Sequence, residues 1–369
     1  MKRRELTDRE RADWLQLSRT QNMGPVAFRD LLKRFGTAEA ALGGLPQIVT
    51  KRKLEVPRRA DIEAEVEALA ARGGRMLAAC EPEFPLALYN IDPPPPVISV
   101  LGDVAMLSKP CVAIVGSRNA SALGRKFAGH LARGLGEAGH VVVSGLALGI
   151  DAAAHRGAME TGTVAVLGGG VNHVYPKQNR EIYAEIRERG ALVSESPLGY
   201  TAKARDFPRR NRIVSGLSAG VVVVEAAERS GTLITARYGA EQGREVMACP
   251  GSAMDPRAKG CNRLIRQGAT LVESVEDVLD ALSGRAAPEL LEAEEAFGGA
   301  AFDWEAAAGD IARARDVLLG LASPTPTPRD DLIRESGIPV AVASAALLEL
   351  ELEGEVSVER DGRVTLNAL

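Results

Sequence analysis

The middle of the chain carries six short apolar runs, CVAIV, VVVS, TVAVL, ALVSE, GVVVV and EVMAC, separated by stretches of helical periodicity. Runs of four or five such residues without polar alternation need burial on both faces, which a parallel sheet covered by helices on each side supplies. Three runs end in a glycine-rich turn that opens a helix: Gly116-Ser117-Arg118 before 121–138, Ser144-Gly145-Leu146-Ala147-Leu148-Gly149 before 151–160, and Gly168-Gly169-Gly170 before 178–189. A fourth, GVVVV, reaches the helix 232–242 through EAAERSG. In a doubly wound sheet all such turns lie at the carboxyl edge of the strands, so the pattern predicts an α/β fold whose turns converge on one crevice.

Other patterns flank this core. Helices are expected over 6–21, 26–35 and 61–72, with Asn22-Met23-Gly24-Pro25 as a tight turn that puts proline at the first helical position. Pro93 to Pro96 must be extended, because each proline bars the residue before it from helix. The tail gives helices over 311–321, 329–336 and 340–353, then two short strands, EVSVE and RVTL, about the turn Asp361-Gly362, which is the order of a winged helix. The expected division is a helical domain at 1–72, the α/β domain at 73–282, an acidic Ala/Glu linker at 283–310 and a winged-helix-like domain at 311–369.

Net charge is −4, which disguises an uneven distribution. Residues 1–60 carry fourteen Lys/Arg against seven Asp/Glu, whereas 273–310 carry eleven Asp/Glu against one Arg, leaving the rest of the chain basic. A basic body suits a polyanion, although a solvated charged face has the same signature. The four cysteines, Cys80, Cys111, Cys249 and Cys261, lie far apart without C-x-x-C spacing and read as buried thiols of a reducing cytoplasm. The longest apolar stretch, 141–150, is about half the ~20 residues of a membrane span, and the start MKRRELTDRE lacks the apolar region of a signal peptide, so neither a span nor secretion is expected.

Two familiar signatures are discounted by their context. Gly134-x-Gly136-x-x-Gly139 ends a helix and precedes a strand, the reverse of the order that brings a helix N-terminus to a pyrophosphate. Gly216-x-Ser218-x-Gly220 runs into a strand, whereas a nucleophile elbow turns from strand into helix. There is no G-x-x-x-x-G-K-[ST], and the histidines His130, His140, His155 and His173 form no H-E-x-x-H, so neither a metal nor a cofactor is expected. Asp151 and His155, four apart, are expected to hydrogen-bond along a helix face.

Two segments carry chemistry. In Gly116-Ser117-Arg118-Asn119 the glycine allows close backbone approach, the following helix offers unpaired N–H groups, and Arg118 adds a fork that matches phosphate oxygens. The stretch KARDFPRRNR, residues 203–212, has five cations against Asp206 and places Phe207 among them, in a chain with fourteen aromatic residues. A ring between cations stacks unpaired bases while the charges neutralise the backbone; the alternative is that Phe207 packs in the core and the arginines are solvated.

Taken together, these residues resemble the DNA-processing protein A (DprA/Smf) family. The resemblance covers most of the chain and rests on AIVGSRNAS, VVSGLALGIDAAAHRGAM, VAVLGGGVNHVYPKQN, VSESPLG, FPRRNRIVSGLSAGVVVVEAAERSGTLITARYGAEQGREVMACPG and NRLIRQGA, in that order. It implies an extended Rossmann-like domain, an N-terminal sterile-alpha-motif or helix-hairpin-helix element, and a cytoplasmic, non-catalytic homodimer without a cofactor. Such a protein would bind single-stranded DNA, protect incoming strands in natural transformation and load the RecA recombinase onto them, including strands covered by single-strand-binding protein. The DNA contacts carried over are Gly116, Ser117, Arg118 and Asn119, the triple glycine Gly168, Gly169 and Gly170, Lys177, then Phe207, Arg209, Arg210, Asn211 and Arg212. Family members often have a lysine shortly before the phenylalanine, a role open here to Lys203 or Arg205.

Two departures bear on duplex DNA. Asn22 stands where a helix-hairpin-helix carries its first glycine, which argues against duplex binding there. The third helix of the tail, 340–353, has Glu349, Glu351 and Glu353 and no Lys or Arg, so this domain reads as a protein contact. A rival is an enzyme: Glu225 near Ser230-Gly231-Thr232 resembles elements of the lysine-decarboxylase-like phosphoribohydrolases, which would make Glu225 catalytic. Such an enzyme has no need of KARDFPRRNR, and a pure interaction scaffold would leave that segment unexplained too.

Overall fold

The computed structural model describes residues 3–49, 54–283, 306–358 and 362–367. Most of the acidic stretch expected as a linker, 284–305, lies outside the described residues, as does Asp361 of the expected hairpin turn. The chain divides into two compact units, Met1–Glu5 with Ala64–Leu290 and Leu6–Glu63 with Leu291–Leu369.

The N-terminal helices are α1 (Asp8–Arg19), α2 (Pro25–Phe35), α3 (Ala38–Ile48) and α4 (Arg59–Ala70). Thr7 and Glu10 cap α1 reciprocally, each side chain bonding the other's backbone N–H, while Trp14 and Phe28 meet edge to face at 5.0 Å. Asn22, in the turn between α1 and α2, adopts φ +59°, the left-handed conformation that asparagine tolerates. Helix α3 was not expected, because AEAALGGLPQI contains Gly43, Gly44 and Pro46. Burial of Ala41, Leu45 and Ile48 at helical spacing outweighs those residues, and Thr37 caps its start by accepting from the Ala40 N–H at 3.1 Å.

The α/β unit opens with β1 (Gly74–Ala78), α5 (Leu86–Tyr89) and β2 (Val97–Gly102). The expected strands and helices then follow in turn: β3 (Cys111–Val115), α6 (Ala122–Glu137), β4 (Val141–Ser144), α7 (Ile150–Gly157), β5 (Thr163–Val166), α8 (Arg180–Arg189) and β6 (Ala191–Ser194). After these come α9 (Asp206–Gly216), β7 (Gly220–Val223), α10 (Thr232–Glu241), β8 (Glu245–Ala248), α11 (Lys259–Arg266), β9 (Thr270–Leu271) and α12 (Val275–Ser283). Among the described residues nine strands form one sheet in the order β1-β2-β6-β5-β4-β3-β7-β8-β9. It is parallel from β6 to β9, whereas β1 and β2 add antiparallel strands at one edge. Val112, Ile114, Val142 and Val222 on the strands pack with Leu131 and Leu135 of α6, so the uniformly apolar runs are buried as their pattern requires. The order reverses between β3 and β7, and the turns leaving β3, β4, β5 and β7 all lie at the carboxyl edge.

The tail is a winged helix: α13 (Ala308–Leu321), β10 (Thr327–Pro328), α14 (Arg329–Ser336), α15 (Val340–Glu353), β11 (Val356–Val358) and β12 (Arg363–Leu366), with the strands in antiparallel order β10-β12-β11. Its core is Ile311, Leu318, Leu332, Ala346, Leu350 and Val364 with their neighbours. No described helix is long and apolar enough to cross a membrane.

Candidate functional site

The turn after β4 is held from beneath. Asp151, at the start of α7, accepts the N–H groups of Gly145 at 3.1 Å and Ala147 at 3.3 Å, and also that of Gly116 from the turn after β3. His155 accepts the Leu146 N–H at 3.3 Å through Nε2, so Nδ1 carries the proton and donates to Thr163 Oγ1 at 2.8 Å. Asp151 and His155 therefore bond the turn rather than each other, which corrects the expected helix-face pair. Burial raises the Asp151 carboxyl above the usual carboxylate range and lowers the His155 ring to about 3, keeping it neutral. Asn179 adds donors to the Leu146 and Ala147 carbonyls at 2.9 and 3.1 Å.

Arg210 completes this support. The basic stretch is largely the first turns of α9, and a helix cannot present every residue to solvent. Arg210 turns inward, 7% exposed, and donates to the carbonyls of Gly145 and Val166, tying the turn after β4 to the end of β5. Its guanidinium fills the space a side chain at 145 would need, since a Cβ there would collide with Nη2. Burial lowers Arg210 to about 10 and the Asp151 charge opposes that fall, so it remains a cation at neutral pH. Arg212 is also buried and pairs with Glu195 at 2.5 Å. Both had been expected among the DNA contacts, and the structure instead turns them into the protein.

The surface of the crevice is built from what remains. Phe207 is half-buried over Gly168, where a Cβ would meet its ring at 3.3 Å. The exposed Arg118 places its guanidinium carbon 5.3 Å from the Phe207 centroid, and the Tyr175 ring lies 5.3 Å away on a tilt of 37°. The turns after β3 and β5 and the start of α9 thus meet at one aromatic ring. Lys203, Arg205, Arg209 and Asn119 are exposed, as is Lys177, two residues beyond Tyr175. Asp206 orders the approach to α9, accepting the Lys203 N–H at 2.8 Å and the Tyr200 hydroxyl at 2.9 Å. Tyr175 was missed by sequence reasoning; it lies inside a quoted motif beside Lys177, but nothing local shows that its ring faces Phe207.

Other expected residues serve the backbone. Gly116 is buried and its carbonyl accepts the Thr232 hydroxyl at 3.0 Å; the Ser117 N–H goes to the Glu225 carbonyl at 2.7 Å. Gly169 and Gly170 pack against the end of β6 and the segment after it, through Ser194 Oγ to the Gly169 carbonyl at 2.6 Å and the Gly170 N–H to the Tyr200 carbonyl at 2.8 Å. Asn211 reaches the Gly231 carbonyl at 3.5 Å. The N-terminus of α6, expected to offer open N–H groups to a phosphate, is closed by Glu225, whose carboxylate accepts the Ser121 N–H at 2.9 Å and the Ser121 hydroxyl at 2.5 Å. A carboxylate from β7's end thus sits where an anion would bind that helix.

The family model for DNA recombination-mediator protein A matches residues 75–283. The chain belongs to the DNA processing protein A family. Models for the DprA-like N-terminal helix-hairpin-helix domain and the DprA winged helix domain match 8–68 and 305–362, so the family likeness extends over all three segments. Among DprA relatives, Protein Smf of Escherichia coli is 37% identical over 88% of this chain and 85% of its own, and DNA processing protein DprA of Bacillus subtilis is 39% identical over 65% and 84%. The X-ray structure of DprA from Streptococcus pneumoniae matches with a TM-score of 0.63 at 30% identity, covering 75% of this chain and 98% of that one. A Helicobacter pylori DprA structure, described for its single-stranded DNA binding mode, matches with a TM-score of 0.53 at 27% identity over 57% and 96%.

Proposed function

We propose that single-stranded DNA crosses the crevice at the carboxyl edge of β3, β4 and β5, one base stacking on Phe207 and the phosphates passing along Arg118, Lys177, Lys203, Arg205 and Arg209. The observation that carries this reading is the ring of Phe207 flanked by Arg118 and Tyr175 and set on Gly168. Bases offer a π face whatever their identity, so this platform binds strands without reading sequence. Gly116, Ser117 and Asn119 shape the backbone at Arg118, and Gly169, Gly170 and Asn211 shape the opposite wall. Arg210 and Arg212 act one layer below, positioning the turns. Nothing in this arrangement asks for a general base, a metal or a cofactor, and Glu225 has both carboxylate oxygens engaged with Ser121.

On this reading the chain is a non-enzymatic mediator of the cytoplasm that works as a homodimer, shielding incoming strands in natural transformation and passing them to RecA, including strands carrying single-strand-binding protein. The division that goes with it is a helical domain at 1–72, the Rossmann-like domain at 73–282 and a winged helix at 311–369, with 284–305 outside the described residues. The test pairs two assays on the same preparation: titration of a labelled oligonucleotide and release of free base from a nucleoside monophosphate. Oligonucleotide binding without base release is the expected result; base release without binding would reverse the assignment and return Glu225 to a catalytic role.

A further inference from the structure

The unit formed by 6–63 and 291–369 contains two elements that in other proteins face duplex DNA, a helix-hairpin-helix turn and the third helix of a winged helix. Here they face each other. Asn22, in the α1–α2 turn, donates through Nδ2 to the Leu352 carbonyl of α15 at 3.3 Å. Gly24, in the same turn, lies against α15, where a Cβ would be 3.7 Å from Glu351 Oε1. Arg34 of α2 approaches Glu349 at 3.7 Å, with both side chains largely buried, and Glu349 and Glu353 are joined to Arg315 of α13. A small cavity between the helices is lined by Val26 and Asp30 on α2 and by Leu347, Leu348 and Glu351 on α15.

The burial pattern of α15 shows two faces at work. Ala343, Ala346 and Leu350 belong to the winged helix's own core, while Leu348 and Leu352 are 4% and 0% exposed yet stand outside that cluster. A helix buried on more than one side needs a second cover, and here it comes from the N-terminal helices. The acidic side chains agree: Glu351 stands beside Gly24, at the turn from which a helix-hairpin-helix would address a phosphate.

We propose that α2, with the turn before it, and α15 are each other's partner within the chain, so that the outer face of α15 is covered by the N-terminal helices and not open to duplex DNA. The winged helix is thereby a clasp on the N-terminal helices.

Thiol labelling of the full-length chain tests this, because all four native cysteines are buried. Leu348→Cys and a reference Ser357→Cys, at an exposed strand position, are labelled in parallel. Masking predicts that the thiol at 348 reacts about a hundredfold more slowly than the reference, the signature of a face opened only by undocking. Arg34→Glu, which sets a carboxylate against Glu349, should then raise the rate at 348 severalfold. Equal rates at 348 and 357 in the otherwise native chain would overturn the proposal, and an unchanged rate with Arg34→Glu would remove the ion pair from the clasp. If Leu348→Cys does not fold, Val26→Cys reads the same interface from α2, with slow labelling expected and reference-like labelling contradicting it.

Discussion

The crevice rim and the outer face of α15 use the same groups, arginines and glutamates, to opposite ends. At the rim, cations stand exposed around a half-buried ring, while Arg210 and Arg212 spend their charge inside the protein on carbonyls and on Glu195. At α15 the exposed role is absent: the helix has three carboxylates and no cation, and its outer side is covered. The lesson is that arginine count does not locate a nucleic-acid surface. What matters is whether the guanidinium turns into the protein or stays exposed, since a buried arginine bonded to carbonyls builds the wall that an exposed one needs.

The largest effect should come from removing that wall. Arg210→Met deletes the ties to Gly145 and Val166 and strips Asp151 of its neighbouring charge, so a loss of about 3–5 kcal/mol in urea unfolding is expected. Arg210→Lys should recover part of it, because both bonds come from the single nitrogen Nη1, a donor pattern that an ammonium also offers. A loss below about 1 kcal/mol would mean that the rim does not depend on this layer.

Next comes the platform. Phe207→Ala should weaken single-strand binding by about ten- to a hundredfold, the ~1–3 kcal/mol of one base stack, with unfolding stability changed far less than for Arg210→Met. Binding as tight as the parent's would break the stacking claim. Arg118→Ala should act more gently and on a different axis: the slope of log affinity against log salt should flatten by about 0.7, the value for one phosphate on a single strand. An unchanged slope would take Arg118 off the phosphate path and leave it only its contact with Phe207.

The α15 side predicts a pH effect. Burial, with Asp30 nearby, pushes Glu351 up to about 7 while Arg329 pulls it down. An exposed glutamate titrates near about 4.3, so between these values the docked unit holds a proton that the undocked one releases. Docking is therefore strongest at the acid end of that window and loses this contribution as pH rises to about 7. Thermal unfolding of the full chain from pH 5 to 8 should show that slope, and Glu351→Gln should flatten it; a slope unaffected by the substitution would place the titrating group elsewhere.

The strands, the glycine turns and their convergence were legible because two-sided burial imposes a local apolar pattern. So was the winged helix, whose order of elements survives in the periodicity of its helices. The edge strands β1 and β2 and helix α3 were not, since GRMLA is too short to show a period and Gly43, Gly44 and Pro46 mask a helix that tertiary burial maintains. At the site, Arg118 and Phe207 could be singled out from charge and aromatic placement, but which arginines of α9 turn inward is fixed by carbonyls at 145 and 166, distant in sequence. Glu225 closing α6 and Tyr175 facing Phe207 are likewise long-range facts. A local pattern shows where a helix begins; it does not show which remote carboxylate fills its end.

The most direct test of the contrast is fluorescence anisotropy of a labelled single strand of about twenty nucleotides, titrated with the full-length chain at two salt concentrations and challenged with duplex of the same sequence. A crevice rimmed by exposed cations and a covered α15 predict tight, salt-sensitive binding that duplex does not displace. Displacement by equimolar duplex, or no binding to the single strand, would contradict the account.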